Sequence, residues 1–213
     1  MYNPSHFRVD SIQSLHGLIR QHPFGLLITA HEGELHTTHL PFHLEAARGA
    51  HGTLEAHVAR VNPHCEALLS GANSVAVFRG PDAYISPRWY RDPTKNVPTW
   101  NYIAVHAHGR PLPMDDPARA LRHIGTLTAE HEVYIDPPWT ILEAQAHVER
   151  LVSHVLAFEI PIERFEGKWK LSQNRQPADR AGVLEGLRRS QRPDDRAMLE
   201  AMDALYTPDG LPR

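Results

Sequence analysis

The apolar stretches of this chain are short, and turn residues rather than long helices separate them. Phe24-Gly25-Leu26-Leu27-Ile28-Thr29 has strand composition, Glu32-Gly33 is a turn signal, and Leu35 to Leu44 reads as the returning arm of a hairpin. Further strands are expected over Thr53 to Val58, Ser74 to Phe78, Ala83 to Ile85 and Tyr102 to Leu112. Val155 to Ile162 and Phe165 to Leu171 complete the series. A parallel sheet needs a crossover of about a dozen residues, usually a helix, between neighbouring strands. That alternation is missing. The pattern predicts a mainly β fold, an antiparallel barrel with α-helices on its periphery.

Helices interrupt the strands at a few places. Asp10-Ser11 caps a stretch from Ile12 to Gln21 with Ile12, Leu15, Leu18 and Ile19 on one face. Asp116-Pro117 opens a second, followed by Leu121, Ile124, Leu127 and Thr128 at helical spacing. Ile141 to Leu151 is a third. Near the C-terminus, Ala178 to Arg189 carries Val183, Leu184 and Leu187 on one side. A last helix starting at Pro193-Asp194-Asp195 carries Met198, Met202 and Leu205. No repeat or Gly/Ser linker divides the chain, so one domain is expected over 1–175, followed by a helical extension over 176–213.

Bulk properties narrow the function classes. No apolar run approaches the roughly 20 residues that span a bilayer, and Met1-Tyr2-Asn3-Pro4-Ser5-His6 lacks a signal peptide's basic start. Cys65 is the one cysteine, which excludes an internal disulfide and fits a reducing cytoplasm. The net charge of -3 lacks the basic excess of a free-standing nucleic-acid binder. Arg188-Arg189 with Arg192 is a local cluster, read as a solvated helix face. No Gly-x-Gly-x-x-Gly or Walker loop appears, so any nucleotide must be held in another way.

Three segments are unlike ordinary core or surface. They are Gly80 to Tyr90, with Tyr84, Ser86, Trp89 and Tyr90; Val97-Pro98-Thr99-Trp100-Asn101-Tyr102; and Glu166 to Arg175. Aromatic faces, amides, hydroxyls and cations together suit a planar ligand with a phosphate. They equally suit an aromatic-rich dimer interface, because Trp, Tyr and Arg are preferred anchors there.

Met1-Tyr2-Asn3-Pro4, Thr38-His39-Leu40-Pro41-Phe42, His57-Val58-Ala59-Arg60-Val61-Asn62-Pro63 and these three segments resemble, in order, the PaiB family of FMN-binding negative transcriptional regulators. The resemblance covers essentially the whole chain. It implies the FMN-binding split β-barrel, a homodimer, and FMN at the subunit interface. DNA enters as a partner only through the family's regulatory label. It places Thr38 and His39 on the strand beside the flavin ring, and His57 and Arg60 at the end of the next strand. Arg60 is the better phosphate candidate, since a guanidinium offers paired donors in one plane. Ser86, Trp100, Asn101 and Tyr102 belong to the motifs and serve ligand, dimer contact or both. Oxidases of the wider superfamily carry a C-terminal Trp- and Arg-rich segment that reaches the flavin. Arg164 to Arg175 looks like its counterpart, which adds Lys168, Trp169, Lys170, Gln173 and Asn174. After Asn62-Pro63 the family often has a polar residue and Trp, whereas here His64-Cys65 follows.

The 16 histidines raise metal and haem as alternatives. His106 and His108 alternate on a strand and share a face, while His36 and His39 do not. No His-Glu-x-x-His or Cys-x-x-Cys completes a site, so no metal is expected. No acid–base pair or nucleophile stands out, so no catalytic residue is named. A flavin-dependent oxidoreductase on a small substrate and a haem-binding or haem-degrading barrel remain the alternatives to a regulator.

Overall fold

The computed structural model describes residues 1–212. Its strands are β1 (Arg8–Val9), β2 (Phe24–His31), β3 (Glu34–Pro41), β4 (His43–Glu45), β5 (Thr53–Ala59), β6 (Ser74–Ile85), β7 (Thr99–Gly109), β8 (Leu112–Pro113) and β9 (Val155–Lys170). Its α-helices are α1 (Ile12–Gln21), α2 (His64–Leu69), α3 (Pro117–Glu132), α4 (Gln145–Leu151), α5 (Pro177–Arg189) and α6 (Asp195–Asp203). The strands bond in the order β3-β2-β6-β7-β9-β5-β4, with β1 and β8 pairing to β9. The described strand pairs are antiparallel, as the turn-separated pattern predicts. Among the described residues no helix is long and apolar enough to cross a membrane. Contacts divide the chain into two compact units. One holds Ser11–Phe78 and His106–Phe165; the other holds Met1–Asp10, Arg79–Val105 and Glu166–Arg213.

In the first unit, β2 and β3 form the expected hairpin, in register from Phe24↔Pro41 to His31↔Glu34. Glu32 and Gly33 both have positive φ, 50° and 84°, as a two-residue hairpin turn that matches strand twist requires. The expected strand over Leu35 to Leu44 breaks at Phe42, whose ring turns inward and meets Phe78 edge-on at 5.3 Å. Ser11 caps α1 by accepting from Ser14 N at 3.3 Å, and Leu15, Leu18 and Ile19 go into the core. The short α2 was not foreseen: six residues carry too little periodicity to read.

Helix α3 departs in part from its expected face, keeping only Leu127 of it fully buried. Leu121 and Ile124 are half-buried, while Ala120, His123 and Leu127 turn inward. The surface beneath it is polar. Glu55 and Glu159 sit opposite each other on β5 and β9, and His43 pairs with Glu55 across β4. Arg119 pairs with Glu159, His123 meets Glu55 and His57, and Glu130 accepts from His43 at 2.8 Å. Charge complementarity docks this helix where a purely apolar stripe was expected.

In the second unit, β1 pairs with β9 through Arg8↔Lys168 and Val9↔Gly167. Helices α5 and α6 bury Val183, Leu184, Leu187, Met198 and Met202. Leu205, expected on the last helix, lies beyond its end at Asp203. Gly182 and Gly186 make a notch on α5 in which Trp89 sits, so close that a Cβ at either would overlap it. Arg180 is buried, donates to Gly210 O at 2.6 Å and Arg175 O at 2.9 Å, and lies over the Tyr206 ring. Two expected strand breaks are absent: Ser74–Ile85 is continuous through Gly80-Pro81, and Val155–Lys170 through Glu163-Arg164. Conversely, Tyr102 to Leu112 ends at Gly109, with β8 separate, and Ile141 to Leu151 begins as a 3-10 turn over Ile141–Ala144.

Candidate functional site

Thr38 and His39 are adjacent on β3 and therefore point to opposite faces. Thr38 faces α2. Its Oγ1 bonds His64 Nδ1 at 2.8 Å and accepts from Asn62 Nδ2 at 3.4 Å, while Asn62 Oδ1 accepts from His64 N at 2.9 Å. His64 is 2% exposed, and its Nε2 is buried without a partner among the described residues. Burial, with a lesser contribution from His36, holds the His64 pKa at about 4, so the ring is neutral.

His39 faces the other way. It is exposed and stacks on Phe24, 6.3 Å between centroids and 20° between planes. Register places Leu26, Ile28, Leu35, Thr37, Val75 and Val77 on this same outward face. Phe24 is 66% and Leu35 70% exposed.

Arg60 follows the end of β5, on the loop that Asn62 ties to Thr38. It is exposed, and Nε donates to Ser153 O at 3.0 Å, with no further partner for its guanidinium among the described residues. His57 lies instead in the polar seam under α3. Its Nδ1 is 3.1 Å from His123 Nε2, and His123 Nδ1 is 3.5 Å from Glu55 Oε2. Burial first, then His123, lowers the His57 pKa to about 4. The hydrogen bond to His123 is the largest cause lowering that of Glu55 to about 2, with Arg48 assisting against burial.

The remaining candidates belong to the second unit. Ser86 caps the 3-10 turn Pro87–Trp89, accepting from Arg88 N at 3.2 Å. Asn101 is buried and donates to Ser172 Oγ at 3.0 Å and Met202 Sδ at 3.4 Å. Trp100 is 45% exposed; Tyr84 meets it edge-on at 5.9 Å, and the Arg192 guanidinium lies 5.5 Å from its ring. The buried Lys168 ammonium donates to Tyr2 O at 2.8 Å and lies 5.3 Å from the Tyr102 ring. Lys170 donates to Thr99 Oγ1 at 2.6 Å and to Trp100 O. Burial first, then Lys168 and Arg175, lowers the Lys170 pKa. Trp169 is half-buried, and Asn174 is exposed. The Gln173 amide folds back onto its own turn, Nε2 to Trp169 O at 2.5 Å and Oε1 from Leu171 N at 2.7 Å.

The structure thus brings Thr38 to His64 and Asn62, Asn101 to Ser172, and the two lysines to Tyr102, Thr99 and Trp100. Sequence reasoning missed His64, His123 and Phe24 as members. Neither histidine carried a local signal, because Thr38 and His57, the partners of His64 and His123, are distant in sequence.

The chain matches, over residues 1–164, the family described as "Putative FMN-binding domain". It is 30% identical over 205 residues to protease synthase and sporulation protein PAI 2 of Bacillus subtilis, covering 95% of this chain and 97% of that protein. Among solved structures it resembles the FAD and heme binding protein from Mycobacterium smegmatis, with TM-score 0.57 and 15% identity over 76% of this chain and 73% of that one. It also resembles the conserved hypothetical protein Rv2991 from Mycobacterium tuberculosis, with TM-score 0.59 and 12% identity over 83% and 94% of the two chains. The fold is the split-barrel class, mainly antiparallel β with peripheral helices, and the cofactor is FMN. The residues present fit such a group: a flat exposed Phe24–His39 pair for a ring and, on Arg60, a guanidinium with open donors for a phosphate. The chain belongs to the PaiB family of FMN-binding proteins.

Proposed function

We propose that two copies of this chain hold FMN on the outward face of the β2–β3 hairpin, and that the output is regulatory. One observation carries the reading: α2 lies on the inward side of this hairpin, with His64 bonded to Thr38, whereas the outward face is apolar and open. A contiguous exposed apolar patch of this kind marks a ligand or partner surface. His39 and Phe24 would lie against the ring, and Arg60 would take the phosphate through its open guanidinium nitrogens. Thr38 holds His64 behind the hairpin, whereas His57 holds His123 in the seam under α3 and supports the fold there. In the second unit, Trp100, Tyr102, Lys170 and Asn174 offer surface to a ligand or a second copy. Ser86, Asn101, Lys168, Trp169 and Gln173 shape the turns that present them. Bound FMN supplies one- and two-electron transfer, and the protein supplies orientation and access.

The Bacillus relative's name concerns protease synthesis and sporulation, and we carry a regulatory output over from it. Arg188 pairs with Asp203, and Arg189 with Glu185, so α5 offers no unpaired basic stripe for a DNA backbone. We assign the output to the state of the flavin, in the cytoplasm, rather than to DNA reading by α5. FMN titration by fluorescence quenching, run beside sedimentation velocity, tests the proposal. Saturable FMN binding by a dimer is expected; a monomer that ignores added FMN would sink it. A gel shift that weakens with salt would overturn the assignment of α5.

A further inference from the structure

We propose that the tip of the β2–β3 hairpin binds a divalent transition-metal ion of the zinc class through His31, Glu32 and Glu66. One ring nitrogen of His31 and one carboxylate oxygen from each glutamate lie within 4.8 Å of one another. Zinc bonds to nitrogen and oxygen of about 2.0–2.2 Å place tetrahedral ligand atoms about 3.3 Å apart, so a small inward swing of two exposed glutamates closes the set.

The surroundings prepare the imidazole for this role. Ser70 Oγ donates its hydrogen to Ala67 O at 2.8 Å. Its contact with His31 Nδ1 at 3.2 Å must therefore be one in which the ring N–H donates to the hydroxyl. That sets the Nδ1–H tautomer and leaves the Nε2 lone pair as the ligand. A ring nitrogen engaged outside the metal shell is how metal-bound histidines are usually oriented. Ser70 also places Glu66. The two are four residues apart, and Ser70 N bonds Glu66 O at 3.1 Å, so Glu66 stands one helical turn from Ser70 on the same side.

Charge points the same way. Among the described residues neither Glu32 nor Glu66 is ion-paired, so two carboxylates converge beside one imidazole with no cationic partner of their own. One divalent cation would offset the repulsion between the two carboxylates. An imidazole in the set favours zinc, nickel or copper over calcium or magnesium, which take oxygen ligands. His36, 6.3 Å from His31 ring to ring, is the nearest candidate for a further ligand. Sequence spacing alone does not show this site, because its ligands come from a strand end, a turn and a helix.

The test uses the whole protein after chelator treatment, titrated with Zn2+ at neutral pH against a chromophoric competitor, with Tm and flavin content followed in parallel. One Zn2+ per chain and a raised Tm are expected. His31→Gln and Glu66→Gln should each weaken binding about tenfold or more, and Ser70→Ala measurably, with the metal-free Tm unchanged. Mg2+ should not compete. No Zn2+ binding, or binding equal in His31→Gln, Glu66→Gln and wild type, overturns the proposal, the latter by placing the ion on other histidines. Flavin content reads separately on the FMN site and should not change.

Discussion

Arg60 illustrates how a single exposed side chain can be tested apart from the fold around it. Its one described protein bond is to a backbone carbonyl, and no carboxylate neutralises it. Arg60→Ala should weaken FMN binding by about 1.5–3 kcal/mol, the worth of a charge-assisted bond, and leave the apo Tm within a degree or so. Equal FMN affinity in Arg60→Ala and wild type would move the phosphate elsewhere. His57 and His64 make a different prediction. Both have folded-state pKa values of about 4, below the ordinary 6.5. The folded state resists their protonation while the unfolded chain accepts it, so stability is full above pH 6.5 and falls as pH drops from 6.5 toward 4. Glu55, lowered to about 2, extends the loss as pH falls from 4.5 toward 2. Urea midpoints measured across this range should decline in His57-containing protein and decline less in His57→Gln. Arg60 and His39, named from the sequence as candidate FMN contacts, are both exposed. The inward use of Thr38, Asn101 and Gln173 was not legible there, because which way an amide or hydroxyl turns depends on neighbours brought in by folding.

The elements show where local pattern suffices. The β2–β3 hairpin was readable because alternation and a two-residue turn are both local, and α1 because its cap and apolar stripe are too. The joins within β6 and β9 were not. Gly80-Pro81 and Glu163-Arg164 look like breaks, yet a strand tolerates a proline where its missing N–H has no ladder bond to make. Helix α3 misled in the opposite sense: Leu127 of its apolar stripe is buried, but the sheet beneath offers carboxylates and imidazoles, and His123 is buried beside it to meet them. Helix α5 carries the sharpest test at this scale. Trp89 occupies the notch made by Gly182 and Gly186, and a Cβ at Gly186 falls within its indole. Gly186→Ala should cost about 1–3 kcal/mol, read as a lower Tm in calorimetry, despite alanine's better helix propensity. Unchanged Tm would mean that the loop bearing Trp89 yields freely.

At the scale of the whole molecule, the class of fold was legible from the spacing of its strands. The division of contacts into two units was not, because it depends on pairings between segments far apart in the chain. The outward face of β2, β3 and β6, with Leu26 between His39 and Val77, is where the proposed dimer would meet. Leu26→Asp should give a monomer by sedimentation velocity with little retained flavin; an intact dimer would show that the copies meet elsewhere. The exposed Phe24 and Leu35 on that face carry a practical corollary. Were a twin copy to cover them, as proposed, mass action would apply, and the melting temperature should climb as the solution is made more concentrated and sag on dilution.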